Sequence, residues 1–114
     1  MNPESEQIFK QVCETLKVKE DMVLSKTRLK PICEARFLAV YFIRSKNKRI
    51  SFNTIGQWFG RSNDGSAHSF VIYGMKQVRI LRETNTAFKL KFRDCINDLS
   101  LYDNNIIFKN IPQY

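Results

Sequence analysis

The 114-residue chain has a single histidine, and its surroundings raise the first question of chemistry. His68 follows GRSNDGSA and precedes SFVIYG, so it stands with Ser66, Ala67 and Ser69 where a polar, glycine-containing loop turns into an apolar stretch. Nucleophilic catalysis needs a base within hydrogen-bond reach of the nucleophile and a third group to orient that base. One imidazole with no nearby carboxylate other than Asp64 does not supply that set, so no catalytic residues are assigned and hydrolase or nuclease chemistry is not expected. Cys13, Cys33 and Cys95 are odd in number, far apart, and accompanied by neither a CxxC pair nor a second histidine. They indicate neither a disulfide framework nor a zinc site, and read as reduced, small hydrophobes. What an imidazole beside a hydroxyl can still do is exchange hydrogen bonds with polar edges presented to it.

A second group lies earlier. SKTRLKP, residues 25–31, carries Lys26, Arg28 and Lys30 at every second position with Thr27 between them, has no apolar rhythm, and ends on a proline that restarts the chain. It reads as a basic loop. It also belongs to the most charged part of the molecule. The net charge is +8 with a pI near 9.6, and residues 25–82 hold twelve Lys and Arg against two Asp and Glu, whereas the flanking segments are acidic or balanced. A segment that basic repels itself, and a polyanion, most commonly nucleic acid, is the usual compensation. No apolar run approaches the roughly 18–20 residues of a membrane span, and the start MNPESEQIFK is acidic where a secretory signal would be basic and then apolar. A cytoplasmic, nucleoid-associated protein with no membrane partner is expected.

The elements that must position these groups are helical. Ile8, Val12 and Leu16, with Phe9 and Cys13, form one stripe of a helix over about 3–16, begun by Pro3, Glu4 and Glu6. Residues 18–25 offer a short helix with Met22 and Val23, ahead of the basic loop. From Pro31 the apolar residues Ile32, Ala35, Phe37, Leu38, Ala39, Tyr41, Phe42 and Ile43 mark a central helix packed on several sides. Ser51 is a good N-cap for FNTIGQWFG, a short helix that Gly60 ends. Ser66 can cap the next helix, in which Ala67, Val71, Gly74, Met75, Val78 and Leu81 recur at three and four residues, leaving His68, Ser69, Tyr73 and Lys76 largely on other faces. A last helix starts at Asn85 or Thr86 and runs through Leu99. Residues 101–114 form a tail without helical rhythm that could pack back or form a short strand. The expectation is an all-α, compact six-helix domain over residues 1–100, with no internal repeat.

A short helix, a turn and a longer helix that begins with small polar residues is the arrangement of a helix-turn-helix, whose second helix enters the DNA major groove. An all-helical core with a polar loop fits the same pattern. On SKTRLKPICEARFLAVYFIR, TIGQWFG and AHSFVIYGMKQV, the chain resembles the C-terminal, DNA-binding domain of the bacterial chromosomal replication initiator family, DnaA, over residues 7 to about 100. The resemblance implies a Trp repressor-like helix-turn-helix fold and double-stranded DNA as partner. It places Arg28 in the minor groove, Lys26 and Lys30 beside it on phosphates, and Arg36 as a clamp on backbone phosphate. His68 and Ser69 take the base-reading positions, Tyr73 a polar position facing phosphate, and Lys76 a basic one further along. Ala67 stands where the family has Asp and Phe70 where it has a second Thr, and the link from Phe-Gly to the histidine is longer by about four residues. Losing the aspartate removes an acceptor for a cytosine amino group, so a different preferred site is implied, with Ala67 or Phe70 on a thymine methyl or Phe70 in the core. Arg61 and Asn63 in the added loop could reach phosphate.

Nothing matches GxxxxGK[ST], so no nucleotide and no other cofactor is expected, and the chain reads as a recognition module without a motor. Two functions follow: sequence-selective DNA binding in replication initiation or its regulation, with other replication proteins as further partners, or a protein-interaction module that kept the fold and meets an acidic partner. Ala67 and Phe70 on the groove helix motivate the second.

Overall fold

A computed structural model describes residues 1–102 of the chain. They form six α-helices and, among the described residues, no strand: α1 Pro3–Leu16, α2 Glu20–Leu24, α3 Lys30–Lys46, α4 Phe52–Trp58, α5 Ser66–Thr84 and α6 Thr86–Tyr102. The all-α reading and its six elements are those expected from periodicity. α6 runs two residues into the segment read as tail, and the suggested short strand lies outside the described residues.

The local signals work as their chemistry requires. Asn2 caps α1 by accepting from the Ser5 amide at 2.8 Å, and Pro3 follows it, where a missing N–H costs nothing. Ser51 caps α4 by accepting from the Thr54 amide at 3.1 Å. Asn85 accepts from the Phe88 amide at 2.9 Å, which settles the start of α6.

α3 is the axis of the domain. It packs against α1, α2 and α5, while α6 closes the core from the α1 and α5 side. Leu38, Ala39, Phe42 and Ile43 of α3 meet Phe9 and Val12 of α1, Val71 and Val78 of α5, and Phe88, Phe92 and Ile96 of α6 in one apolar cluster. Burying such side chains is worth about 1.5–3 kcal/mol each, and this is what makes a helix apolar on several faces stable in water. The rings of Tyr41 and Phe42 both lie against Phe92, with centroids 5.6 and 5.2 Å away. Two polar ties cross the core's edge: Lys91 to Glu34 at 2.8 Å, and the Thr15 hydroxyl to Asp98 at 2.6 Å. The remaining elements, α4, α5 and the segment between α2 and α3, lie on one side of this core and carry the candidate site.

Candidate nucleic-acid interface

α4 and α5 form a tight pair because two small residues meet between them. A Cβ built on Gly56 would fall 2.3 Å from the Ala67 carbonyl oxygen, so only glycine lets the two backbones approach this closely. Gly60 and Gly65, at φ +79° and +99°, supply the left-handed turns that end α4 and begin α5. The Ser66 cap expected from the sequence is corrected here. Gly65 occupies the cap position and Ser66 is the first helical residue, because the Asp64 carboxylate, two residues ahead, accepts from both its amide at 3.1 Å and its hydroxyl at 2.7 Å. These two bonds hold the Asp64 carboxyl below the ordinary carboxylate range. The added loop is further tied by a hydrogen bond from the Asn53 amide to the Asn63 side chain.

On α5 the buried stripe is Ala67, Val71, Gly74 and Val78. Opposite it, Ser69, Tyr73, Lys76 and Ile80 fall within about 60° of arc, and His68 lies about 100° round from Ser69, on the margin facing α4. There its ring meets Phe52, with centroids 5.3 Å apart. Phe52 in turn carries the Arg44 guanidinium 4.6 Å from its centroid, and Arg44 donates to the carbonyls of Ile50 and Lys48, which sets the turn before α4. Tyr73, 55 % exposed, leans its ring edge on Phe37 of α3 at 5.7 Å.

The basic loop faces the same side. Ser25 and Thr27 are half-buried while Lys26 and Arg28 are exposed, an alternation that turns the cations outward. Beneath them lies Arg36, only 4 % exposed. Its Nε donates to the Val23 carbonyl at 2.9 Å, Nη2 to the Ser25 carbonyl at 2.8 Å and Nη1 to the Thr27 carbonyl at 3.2 Å. Arg36, expected as a phosphate clamp, thus has all three guanidinium nitrogens on the protein's own backbone while also lining the cleft described below. The expectation for Ala67 is corrected: it is fully buried against Gly56, so its methyl cannot touch a base. Phe70, half-buried, packs on Phe59 at 5.9 Å and forms a plate for Arg61, whose guanidinium carbon sits 4.3 Å above its ring.

Loop and helix enclose one cleft. Lys26, Thr27, Arg28, Arg36, Arg61, Ser66, Phe70 and Tyr73 line it, and among the described residues no carboxylate does. Arg61 is pushed below its ordinary pKa, first by partial burial and second by the Arg36 charge across the cleft. Like charges held this close create a field that an anion would relieve. Of the residues expected at the site, Lys26, Thr27, Arg28, Arg61, Ser66 and Tyr73 meet in the cleft, Ser69 and Lys76 continue along the outer arc of α5, His68 sits on its α4 margin, and Lys30 is exposed at the start of α3. Sequence reasoning missed the Arg36 fastening and the Asp64 bonds. A signal for the first was present, because the residues four before and four after Arg36, Ile32 and Val40, are both apolar, which puts the arginine on a buried stripe.

Comparison with known proteins agrees with this architecture. A family model described as the bacterial dnaA protein helix-turn-helix matches residues 5–78, from α1 into α5. The chromosomal replication initiator protein DnaA of Thermodesulfovibrio yellowstonii is 42 % identical over 78 residues, 68 % of this chain and 17 % of that protein. The protein of the same name from Synechococcus sp. strain JA-2-3B'a(2-13) is 27 % identical over 94 residues, 82 % of this chain and 19 % of its own length. The chain thus spans less than a fifth of these relatives. With α2, α3, α4, the turn and most of α1 and α5 inside the matched region, the chain belongs to the bacterial DnaA C-terminal helix-turn-helix family.

Proposed function

We propose that this domain binds double-stranded DNA sequence-selectively, with α5 in the major groove and the 25–30 loop in the adjacent minor groove, in the service of replication initiation or its regulation. The observation that carries this reading is the carboxylate-free cleft in which Arg28 and Lys26 of the loop face Ser66 and Tyr73 of α5. A duplex read in two neighbouring grooves must pass one phosphate strand between the two reading elements, and Arg61 and the loop cations that line the cleft are suited to meet it. His68 and Ser69 address base edges. Arg28 extends a long guanidinium suited to the negative potential of a narrow A·T-rich minor groove.

Ala67 is buried and offers no acceptor to a cytosine amino group, which supports a preferred site different from that of domains with aspartate there. Selection of bound sequences from random duplexes at two salt concentrations tests binding and preference together. Arg28→Ala and His68→Ala should each weaken the selected site by about 1–3 kcal/mol and relax preference at the positions they read. Unchanged affinity in both variants removes the interface.

A further inference from the structure

Arg36 has the geometry of a fastener, and what it fastens is the loop that carries Arg28. A guanidinium is a rigid planar fork with five N–H donors, and here its three nitrogens each engage a different carbonyl, those of residues 23, 25 and 27. These alternate along the segment that leaves α2, so one side chain fixes the path of the chain through three successive pairs of torsions. Nη1 also approaches Cys33 Sγ at 3.8 Å, and that thiol donates to the Thr27 carbonyl at 3.9 Å. A second, weaker tie acts from above, where the Ser25 hydroxyl donates to the Met22 carbonyl at 2.6 Å and accepts from the Thr27 amide at 3.2 Å. Lys26 and Arg28 themselves have no part in these bonds. Without the fork, a loop rich in like charges would spread over many conformations, few of which aim Arg28 at a groove.

We propose that Arg36 is a specificity-positioning residue: it contributes to DNA recognition through Arg28, by holding the 23–27 backbone in its reading conformation, and not through a phosphate contact of its own. This rests on the groove reading proposed above.

A double-mutant cycle on a selected duplex, together with thiol labelling of the free protein, tests it. Arg36→Lys keeps the charge and loses the fork. It should weaken binding about tenfold in the wild-type background and less than about twofold in an Arg28→Ala background, since nothing remains for it to position. In the absence of DNA, a maleimide should modify Cys33 at least about tenfold faster in Arg36→Lys, because the loop above it loosens, while the buried Cys13 and Cys95 stay unreactive and report that the fold is intact. Should Arg36→Lys expose all three thiols, Ser25→Ala serves in its place. It cuts only the upper tie and should give about threefold effects of the same kind in both measurements. Wild-type affinity in the lysine variant, equal losses in the two backgrounds, or unaltered Cys33 labelling would each overturn the proposal. A wild-type protein that binds no duplex overturns the groove reading itself, and the labelling then still decides whether Arg36 holds the loop.

Discussion

Two glycines sit inside helices here, and the same substitution at each should act with opposite sign. Gly56→Ala places a methyl 2.3 Å from the Ala67 carbonyl oxygen and 2.6 Å from its carbonyl carbon and Cα. Ordinary carbon contacts lie at about 3.5–4.0 Å, so α4 and α5 must part by about 1 Å. Every crowding atom is backbone, so no side-chain rotation relieves the clash. Overpacking of this kind costs about 1–3 kcal/mol, and with rigid partners the upper end applies. Alanine recovers about 1 kcal/mol in helix propensity, leaving a net loss of about 2 kcal/mol. For a domain of this size that is a fall of about 8–16 °C in Tm. At Gly74 the added methyl would meet the Phe37 ring at 3.4 Å and Phe37 Cα and Val40 Cγ1 at 3.9 Å, all ordinary contacts, so the propensity term dominates and Tm should rise by about 4 °C. Thermal melts by circular dichroism compare the two. If Gly56→Ala melted at or above the wild-type temperature, close backbone contact would not be what joins the two helices, and the account of Ala67 as a packing residue would fail with it.

Other perturbations follow from single contacts. Lys91→Met removes the cation 2.8 Å from Glu34, which is 8 % exposed, and should cost about 1–3 kcal/mol in urea denaturation, with most of it recovered in Glu34→Met/Lys91→Met, where no buried charge is stranded. The Asp64 carboxyl is lowered by the Ser66 hydroxyl first and the Ser66 amide second. Because its folded pKa lies below the unfolded one, the ionised carboxylate's hold on the start of α5 is complete above about pH 4 and fades as pH falls through the folded value. The Ser66 amide resonance should therefore titrate below about pH 4 in wild type and stay flat in Asp64→Asn.

The helices were legible from their apolar period, and in α1, α4 and α6 local signals agree with it: Asn2 with Pro3, Ser51 and Gly60, and Asn85. The site was legible only in part, and its two failures have one cause. The apolar recurrence already put Ala67 on the stripe with Val71 and Val78, and the i±4 neighbours of Arg36 were apolar, yet the resemblance set both residues on DNA. In each case periodicity, which reports burial in this chain, was the better guide to the side chain's surroundings. The start of α5 failed for another reason. Ser66 and Asp64 are both good helix-start residues two apart, and which one caps depends on where Gly65 turns the backbone, which composition does not encode.

Net charge also overstates the basic face, and this can be measured. Residues 25–82 contain twelve cations, but Arg36 is held by three loop carbonyls, Arg44 by the carbonyls of Lys48 and Ile50, and Arg82 is buried with its guanidinium carbon 4.1 Å above the Phe92 ring. These three are left out of the expected slope, whereas Arg61, which also donates to the Phe59 carbonyl at 2.9 Å, is half-exposed, lines the cleft and is counted. Along the cleft, at the start of α3 and on the exposed side of α5 the cations are Lys26, Arg28, Lys30, Arg61, Lys76 and Arg79. Each phosphate contact contributes about 0.9 to the slope of log affinity against log salt, so a value of about 5 is expected; adding Lys46, Lys48 and Arg49 near the turn before α4 would raise it to about 8. Titrations of one duplex between 50 and 300 mM salt, a range of about sixfold, give the slope directly. The same slope should survive Arg82→Met and Arg44→Met in any variant that still folds, and fall by about 1 in Lys76→Ala. A wild-type slope near 11 would mean that the inward arginines do reach phosphate, and that the domain rearranges on DNA far more than its packing allows.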